Sequence, residues 1–235
     1  MRILLTRPQD EAERSAETLR ALGHEPLIAP VLRIEAMPQA DLGEGPFAAL
    51  LMTSGNAARI LQDHPRRAEL LRLPVFAVGQ KTAQAAQRAG CADVVSADGD
   101  SADLLRLIAA RLPETSLPLL YLAGSDISRD LGSALSARGL KVRTVVVYRA
   151  RAATALSEAA ELALKAHSVN AALHYSRRSS AIFIECARAA GLLPEINALI
   201  HVCLSERAAE PLRQAGARDI RIAARRDEAA LIECL

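Results

Sequence analysis

The sequence has few cysteines and histidines, and neither set shows the spacing of a metal site. The four cysteines lie far apart with no C-x-x-C pair, and they are Cys91, Cys186, Cys203 and Cys234. The five histidines are scattered without an H-E-x-x-H or similar cluster, and they are His24, His64, His167, His174 and His201. This pattern suggests neither a disulfide framework nor a zinc motif, and it predicts buried thiols in a reducing compartment and no bound metal.

The sequence also lacks a bias of charge and the common fingerprints of nucleotide and acyl chemistry. Its formal charge is +2, from 29 basic and 27 acidic residues, which provides no broad field for nucleic acid or an anionic membrane. No G-x-x-x-x-G-K-[ST] loop, G-x-G-x-x-G fingerprint or G-x-S-x-G elbow occurs. We therefore expect no nucleic-acid partner, and the main sequence grounds for nucleotide binding or serine hydrolysis are missing.

No apolar stretch is long enough for a signal peptide or a membrane span. The first apolar run already turns polar at Thr6-Arg7, which is too early for a signal peptide. No later window approaches the roughly 20 apolar residues that a spanning helix needs. The sequence predicts a cytoplasmic protein with no membrane contact.

Short apolar runs alternate with helical stretches rich in alanine, arginine and leucine. The apolar runs predict strands at 3–5, 26–34, 48–52, 75–78, 117–122, 141–148, 171–175, 200–204 and 219–223. The stretches between them predict helices near 10–20, 56–63, 80–90, 101–111, 127–138, 155–166, 178–190, 206–215 and 227–235. Such alternation is typical of βα units with parallel strands.

The order of these units repeats within the chain. Three blocks in the first half match three blocks in the second: 75–94 matches 202–220, 50–57 matches 172–179, and 3–23 matches 119–139. The repeat predicts two similar three-layer α/β domains with parallel sheets. The alternative is chance similarity among alanine-rich βα units.

Polar residues occupy the junctions where strands lead into helices. These junctions are Thr6-Arg7, Thr53-Ser54-Gly55-Asn56, Gly79-Gln80-Lys81-Thr82, Gly124-Ser125, Ser176-Arg177-Arg178-Ser179 and Ser205-Glu206-Arg207. Each junction alone is explained as a helix cap, since serine, threonine, asparagine and glycine are preferred there. Together they favour a small-molecule ligand with several negative charges, because the carboxyl ends of parallel strands and the helix starts beside them bind anions.

These motifs, taken in order, resemble the uroporphyrinogen-III synthase family over essentially the whole chain. The resemblance rests on Thr6-Arg7-Pro8, Leu19-x-x-x-Gly23, Pro30-Val31, Thr53-Ser54-x-Asn56-Ala57, Ala77-Val78-Gly79-x-x-Thr82-Ala83, Tyr121-Leu122-x-Gly124, Gly139, Val147-Tyr148-Arg149-Ala150, Tyr175-Ser176 and Leu204-Ser205-Glu206. The order and spacing make the match specific, because many α/β proteins contain one such piece.

The resemblance implies two α/β domains joined by two extended β-like linkers, at 30–35 and 145–150. One domain would combine residues 1–35 with 150–235, and the other would hold residues 36–149. The family fold would permit hinge motion around a cleft that holds the linear substrate in a ring-like shape. We expect a monomer.

The resemblance also implies the reaction. The family cyclises the linear tetrapyrrole hydroxymethylbilane, removes its terminal hydroxyl as water and inverts the last pyrrole ring, as a lyase of porphyrin and haem biosynthesis. No cofactor or metal is required, because the electron-rich pyrrole ejects hydroxide readily and the enzyme mainly positions the chain ends.

Tyr148 is the candidate proton donor, since it occupies the linker tyrosine of the family pattern. The alternative interpretation is a packing tyrosine at the end of the β-branched run 144–147, where aromatic residues are common.

The candidate substrate-binding residues are shared among the polar junctions. They are Thr53, Ser54, Asn56, Gly79, Thr82, Gly124, Ser176 and Ser205, with Arg7, Lys81, Arg129, Arg177 and Arg178 as further candidates that could equally be solvated surface charges.

One loop departs from the family pattern. Parts of the family carry a glycine and then a threonine in the loop that matches 204–208, and Ala208 stands at the hydroxyl position here. The backbone amides beside Ser205 and Glu206 would take over the role of that loop.

Two other interpretations remain open on the sequence. A two-domain binding or sensor module would hold a polyanionic small molecule without turnover. A nucleotide-binding α/β enzyme is a third possibility, which the missing phosphate fingerprints disfavour.

Overall fold

The computed structural model describes residues 1–112, 115–126 and 131–235, which contain eleven strands and eleven helices. The strands are β1 Arg2–Leu5, β2 Glu25–Ile28, β3 Leu32–Ala36, β4 Ala49–Met52, β5 Val75–Ala77, β6 Val94–Ser96, β7 Leu119–Gly124, β8 Val142–Ala152, β9 Ala171–His174, β10 Ile200–Cys203 and β11 Asp219–Ile222. The helices are α1 Gln9–Ala21, α2 Gly55–Asp63, α3 Arg67–Leu70, α4 Gln80–Ala89, α5 Ser101–Arg111, α6 Leu131–Ser136, α7 Glu158–Lys165, α8 Arg177–Ala189, α9 Leu193–Asn197, α10 Glu206–Gln214 and α11 Glu228–Ile232. None of the helices described is long and apolar enough to cross a membrane.

The chain divides into two compact units. Unit 1 comprises Met1–Arg33 and Arg151–Leu235, and unit 2 comprises Ile34–Ala150. The sheet of unit 1 has the strand order β11-β10-β9-β1-β2, and the second sheet has the order β3-β8-β7-β4-β5-β6. The strands β3 and β8 contain the two points at which the chain passes from one unit to the other. The prediction of an α/β fold with parallel sheets is confirmed.

The two sheets repeat the same topology. The order β11-β10-β9-β1-β2 of unit 1 corresponds strand by strand to β6-β5-β4-β7-β8 of the other sheet. The register is also the same, because Leu4 pairs with Ala172 as Leu120 pairs with Leu50. The internal repeat predicted from the sequence is therefore confirmed, and chance similarity is not its explanation.

Strand side chains point alternately to two helical layers. In unit 1, Leu4, Ala172 and Cys203 pack against α7 to α10, whereas Ile3 and Leu173 pack against α1 and α11. The second sheet is covered in the same way by α2, α3 and α4 on one face and by α5 and α6 on the other. Because both faces are covered, the central strands are apolar at nearly every position, which is why they read as continuous apolar runs.

The apolar run 26–34 was expected to form one strand, but it forms two. Pro30 has no backbone N–H and cannot continue the ladder, so β2 ends at Ile28 and β3 begins at Leu32. The amides of Ala29 and Val31 instead donate to the carbonyls of Leu5 and Thr6, at 2.9 and 3.0 Å.

Several short elements were not predicted. They are β6, α3 and α9, which contain three to five residues each. Such lengths carry too little periodicity for a helix or strand to be recognised. The predicted helix at 127–138 is observed as α6 from Leu131, and residues 127–130 lie outside the described part of the chain.

Two histidines are completely buried in unit 1, where β9 and β10 face α8. The Nε2 atom of His174 lies 2.9 Å from Nδ1 of His201, and Nε2 of His201 lies 2.8 Å from the carbonyl oxygen of Ile196. Because a carbonyl can only accept, His201 carries its proton on Nε2, and His174 must then donate through its own Nε2. Nδ1 of His174 has no partner among the described residues.

Burial keeps both rings neutral. It lowers the pKa of His174 well below 6.5, with the neighbouring His201 adding to the effect. Burial likewise lowers the pKa of His201 to about 4, although the Ile196 carbonyl and Asp219 oppose the shift. The register places Met52 and Val75 at the equivalent positions of unit 2, so the duplicated fold forms without this pair.

We predict that acid destabilises the protein through these two histidines. In the unfolded chain their pKa values lie near 6.5, so between about pH 6.5 and pH 4 the unfolded state binds more protons and stability falls as pH falls. The expected loss is about 1.4 kcal/mol per pH unit for each histidine across that window. Urea unfolding between about pH 7.5 and pH 5 measures it.

A variant with the equivalent residues of unit 2 isolates the contribution of the two histidines to the pH dependence of stability. His174→Met with His201→Val should remove most of the pH slope contributed by the pair, whereas His167→Asn at an exposed position should leave the slope unchanged. A double variant with the wild-type slope would contradict the assignment.

Candidate functional site

Two loops of unit 1 leave adjacent parallel strands at the same edge of the sheet. Tyr175 and Ser176 follow β9, and Leu204 and Ser205 follow β10. Ser176 Oγ accepts a hydrogen bond from the amide of Ser179 at 3.1 Å, so it caps α8, and Ser205 caps α10 in the same way at 3.3 Å. Both caps leave amides of the first helical turn exposed at this edge, where a helix start favours an anion.

A cavity of about 650 Å³ opens between these loops. It is lined by Tyr175, Ser176, Arg177, Arg178, Ala181, Leu204, Ser205, Arg207 and Arg226. Of the predicted site residues, the structure brings Ser176, Arg177, Arg178 and Ser205 together at this cavity. No Asp or Glu belongs to the lining that the structure describes, so the cavity is strongly basic.

Five lining residues were not among the predicted site residues, and they are Tyr175, Ala181, Leu204, Arg207 and Arg226. Arg207 follows Ser205 in a junction that the sequence marks as polar, and this position could have been selected for its charge. Tyr175 belongs to a motif of the family resemblance, whereas Arg226 gave no signal in the sequence, because it reaches the cavity only through the pairing of β11 with β10.

Arg7 lies in a half-buried network behind Tyr175. Its guanidinium donates to Glu11 at 2.6 Å, to Ser15 at 3.0 Å and to Glu228 at 3.0 Å. The guanidinium carbon also lies 3.9 Å from the centre of the Tyr175 ring, in the geometry of a cation–π contact. The donors of Arg7 are therefore engaged inside unit 1.

This network holds three loops together at the edge of the sheet. Tyr175 donates its hydroxyl to Glu228 at 2.9 Å, and Glu228 begins α11, which follows β11. Burial raises the pKa of Tyr175 to about 12, and the adjacent Glu228 carboxylate adds to the increase. Tyr175 therefore stays protonated and supplies a fixed, neutral wall to the cavity.

In unit 2, the junction after β4 has the same capped form. Ser54 Oγ accepts from the amide of Asn56 at 3.2 Å at the start of α2. Thr53 shares a hydrogen bond with the hydroxyl of Tyr121 at 3.0 Å. The hydroxyl of Thr53 is thus oriented by a neighbour from the adjacent strand β7.

The junction after β5 differs, because glycine replaces the capping side chain. Gly79 precedes α4 without a side-chain hydrogen bond, and a Cβ atom built there would meet no atom within 4 Å. The open space leaves the first amides of α4 accessible to a ligand. Thr82 is buried in the first turn, Lys81 is exposed beside it, and the predicted Arg129 lies outside the described residues.

Tyr148 packs over Gly124 at the carboxyl end of β7. The register between β7 and β8 shifts between Ala123 and Gly124, so Val147 is an extra residue on β8 and Tyr148 pairs with Gly124. Such a bulge changes the direction in which the next side chain points. The tyrosine backbone is held there by the amide of Ser125, which donates to its carbonyl at 2.9 Å.

Glycine at position 124 lets the Tyr148 ring occupy its observed position. A Cβ atom at position 124 would lie 2.6 Å from Cζ and 2.8 Å from the hydroxyl oxygen of Tyr148, which is closer than atoms can pack. Gly124 therefore makes room for the ring.

We predict that Gly124→Ala destabilises unit 2 by about 1–3 kcal/mol, the usual cost of overpacking. The cost should fall well below that value when Tyr148 is also replaced by alanine, because the clashing ring is then gone. Urea unfolding of the two single variants and the double variant gives the coupling. Equal costs of Gly124→Ala in both backgrounds would show that the two residues do not depend on each other.

The metal-ligating residue types do not gather at either edge. Among the described residues, no group of three or more His, Cys, Asp or Glu side chains could hold a metal ion.

Comparisons with known proteins identify one family. Residues 13–233 match the family model described as Uroporphyrinogen-III synthase HemD. The structure is similar to uroporphyrinogen-III synthetase from Helicobacter pylori, with a TM-score of 0.67 and 20% identity over 99% of this chain and 97% of that chain. It is also similar to a mutant uroporphyrinogen III synthase from Thermus thermophilus, with a TM-score of 0.53 and 21% identity over 99% of this chain and 96% of that chain. At these identities the two structures establish a shared fold, and no curated protein sequence matches the chain.

Proposed function

The chain belongs to the uroporphyrinogen-III synthase family, and we infer that it is the lyase that closes hydroxymethylbilane into an asymmetric porphyrinogen. It is an enzyme of porphyrin and haem biosynthesis with a tetrapyrrole substrate. The observation that carries this conclusion is the family match, which extends over residues 13–233. The duplicated parallel α/β fold is consistent with it.

The reaction needs positioning more than chemical activation. An electron-rich pyrrole expels its hydroxyl group readily once a proton reaches the leaving oxygen. Holding the two ends of the chain in reacting geometry can remove several kcal/mol of barrier, and a general acid contributes about a further 10²–10⁴-fold.

We propose Tyr148 as the group that donates this proton. Three features support the role: the bulge in β8, the space left by Gly124, and the carboxyl end of β7 beside which the ring lies. A phenol at such an edge can donate to a leaving hydroxyl and recover its proton from water.

We propose that the polar junctions of both units bind the substrate. In unit 1 the binding groups are Ser176, Ser205, Arg177 and Arg178, which the cavity supports because all four line it. In unit 2 they are Thr53, Ser54, Asn56, Gly79, Lys81, Thr82 and Gly124. For Arg7 the contacts support an indirect part, in which it holds Tyr175 in place.

The remaining parts of the proposal are the location, the oligomeric state, the partners and the domain boundaries. We propose a cytoplasmic monomer that binds no nucleic acid, with one domain formed by residues 1–35 and 150–235 and the other by residues 36–149. The nearly balanced charge supports the absence of a nucleic-acid partner.

The product isomer tests the activity directly. Freshly generated hydroxymethylbilane closes spontaneously to the type I isomer, whereas the synthase yields type III. We predict that the purified protein converts it mainly to the type III isomer, measured by chromatography of the oxidised porphyrins. A type I product, equal to that of a protein-free control, would indicate a binding module without turnover.

Removal of the Tyr148 hydroxyl tests the proton donor. Tyr148→Phe should lower kcat by about 10²–10⁴-fold, because general acid catalysis is lost while the ring still packs over Gly124. KM and the urea midpoint should stay near the wild-type values. Thr144→Val, which removes an exposed hydroxyl from the same strand, is the matched control. An unchanged kcat for Tyr148→Phe would leave positioning alone as the source of catalysis.

A further inference from the structure

Only part of the positive charge at the cavity of unit 1 is paired with other groups of the described chain. Arg177 forms an ion pair with Glu210 at 2.8 Å, and Glu210 does not belong to the cavity lining. Arg207 and Arg226 have no hydrogen-bond or ion-pair partner in the part of the chain that the structure describes. The two guanidinium groups are therefore available at the cavity wall.

The duplicated half provides an internal comparison for these arginines. Four arginines line the cavity, and they are Arg177, Arg178, Arg207 and Arg226. Their counterparts in unit 2 are, in the same order, Gly55, Asn56, Lys81 and Gly99. The first three pairs follow from the shared strand register, and the last follows from the matching helix caps Asp227 and Asp100. The same fold thus stands with a single cation at these four positions. The arginines of unit 1 are not needed to build the sheet or the helices that carry them.

The corresponding edge of unit 2 even carries acidic groups. Asp98 accepts hydrogen bonds from Gln80 at 2.6 Å and from Ser96 at 2.6 Å. The cap Asp100 beside it is matched in unit 1 by the cap Asp227. A carboxylate-bearing ligand is therefore attracted more strongly to the four arginines at the cavity of unit 1 than to this edge of unit 2, where Lys81 is the counterpart of Arg207. The two repeats therefore differ in charge at equivalent edges, and the edge of unit 1 is the more basic.

The remaining lining of the unit 1 cavity suits an acidic tetrapyrrole. Tyr175, Ala181 and Leu204 form an apolar surface, and the starts of α8 and α10 face the cavity through Ser176 and Ser205. The volume of about 650 Å³ lies within the range of small-molecule sites. Guanidinium groups bind carboxylates through two parallel hydrogen bonds, which a lysine cannot reproduce.

We propose that Arg207 and Arg226 form a carboxylate-binding subsite that anchors acidic side chains of the tetrapyrrole in unit 1. This inference rests on the proposed function, and it deepens that function by assigning charge recognition to one repeat. The proton donor Tyr148 belongs to the other repeat, where Lys81 is the one cation at the four equivalent positions. Arg207 and Arg226 are thus binding residues that set affinity and specificity and take no part in proton transfer.

Direct binding of a stable analogue tests the subsite without turnover. The probe is uroporphyrin, the oxidised ring that retains the acidic side chains, and quenching of its fluorescence gives Kd. Each charge-assisted hydrogen-bonded pair that is lost should weaken binding about tenfold, so Arg207→Gln with Arg226→Gln should raise Kd about 100-fold. The dependence of Kd on sodium chloride should also become shallower, because fewer charges are paired.

Matched variants separate the subsite from general charge. Arg14→Gln with Arg188→Gln removes the same net charge from exposed positions on α1 and α8 away from the cavity lining, and it should leave Kd unchanged. Arg207→Lys with Arg226→Lys should restore only part of the affinity, since it restores charge without the planar fork. Equal loss in the Arg14/Arg188 variant, or no loss in the Arg207/Arg226 variant, overturns the proposal. Failure of the wild-type protein to bind uroporphyrin overturns it as well.

Turnover distinguishes this inference from the proposed function. In the isomer assay, Arg207→Gln with Arg226→Gln should raise KM by a factor similar to the rise in Kd. At saturating substrate, kcat should be unchanged and the product should still be the type III isomer. If the wild-type protein forms no type III isomer but binds uroporphyrin through these arginines, the activity fails and the subsite stands. If the wild type forms type III and the double variant keeps its KM, the subsite fails and the activity stands.

Discussion

Fully buried strands pair in parallel in both units, as Leu4 beside Ala172 and Leu50 beside Leu120 show. Parallel pairing brings the carboxyl ends of the paired strands to one edge of each sheet, where the helices that follow them begin. Free amides, the N-terminal ends of helix dipoles and short polar loops therefore lie at the same edge, whichever side chains the loops carry. The arginine-lined cavity, the capped serines and the Tyr148–Gly124 pair all occupy positions that this constraint creates.

The repeat shows how one scaffold accommodates two kinds of chemistry. The layers and registers of the two sheets agree down to individual pairs, so the core tolerates little change. The loops at the edge are free of that restriction, and they have diverged to guanidinium groups in one unit and to hydroxyls, glycines and a tyrosine in the other. The buried His174–His201 pair is an exception inside the core, since apolar residues occupy its counterparts in unit 2.

The sequence was sufficient for the fold because its signals are local or repeated. Apolar runs located the central strands, and the self-similarity between 50–57 and 172–179 led to two similar sheets. The break at Pro30 was missed because the flanking residues are equally apolar on both sides. The polar junctions were found, but their side-chain partners were not, since Arg7 meets Glu228 across 221 positions of sequence. Likewise, nothing in the apolar run 145–147 indicates that Val147 forms a bulge.

The contact between Tyr148 and Gly124 links two positions that lie 24 residues apart in sequence. Any side chain at 124 occupies the volume of the ring, and any loss of the ring removes the reason for glycine. The pair should therefore vary together among natural relatives: tyrosine at the second position should be accompanied by glycine at the first, and lineages that lose one should lose the other. Aligned family sequences would thus carry a record of this contact as correlated substitution.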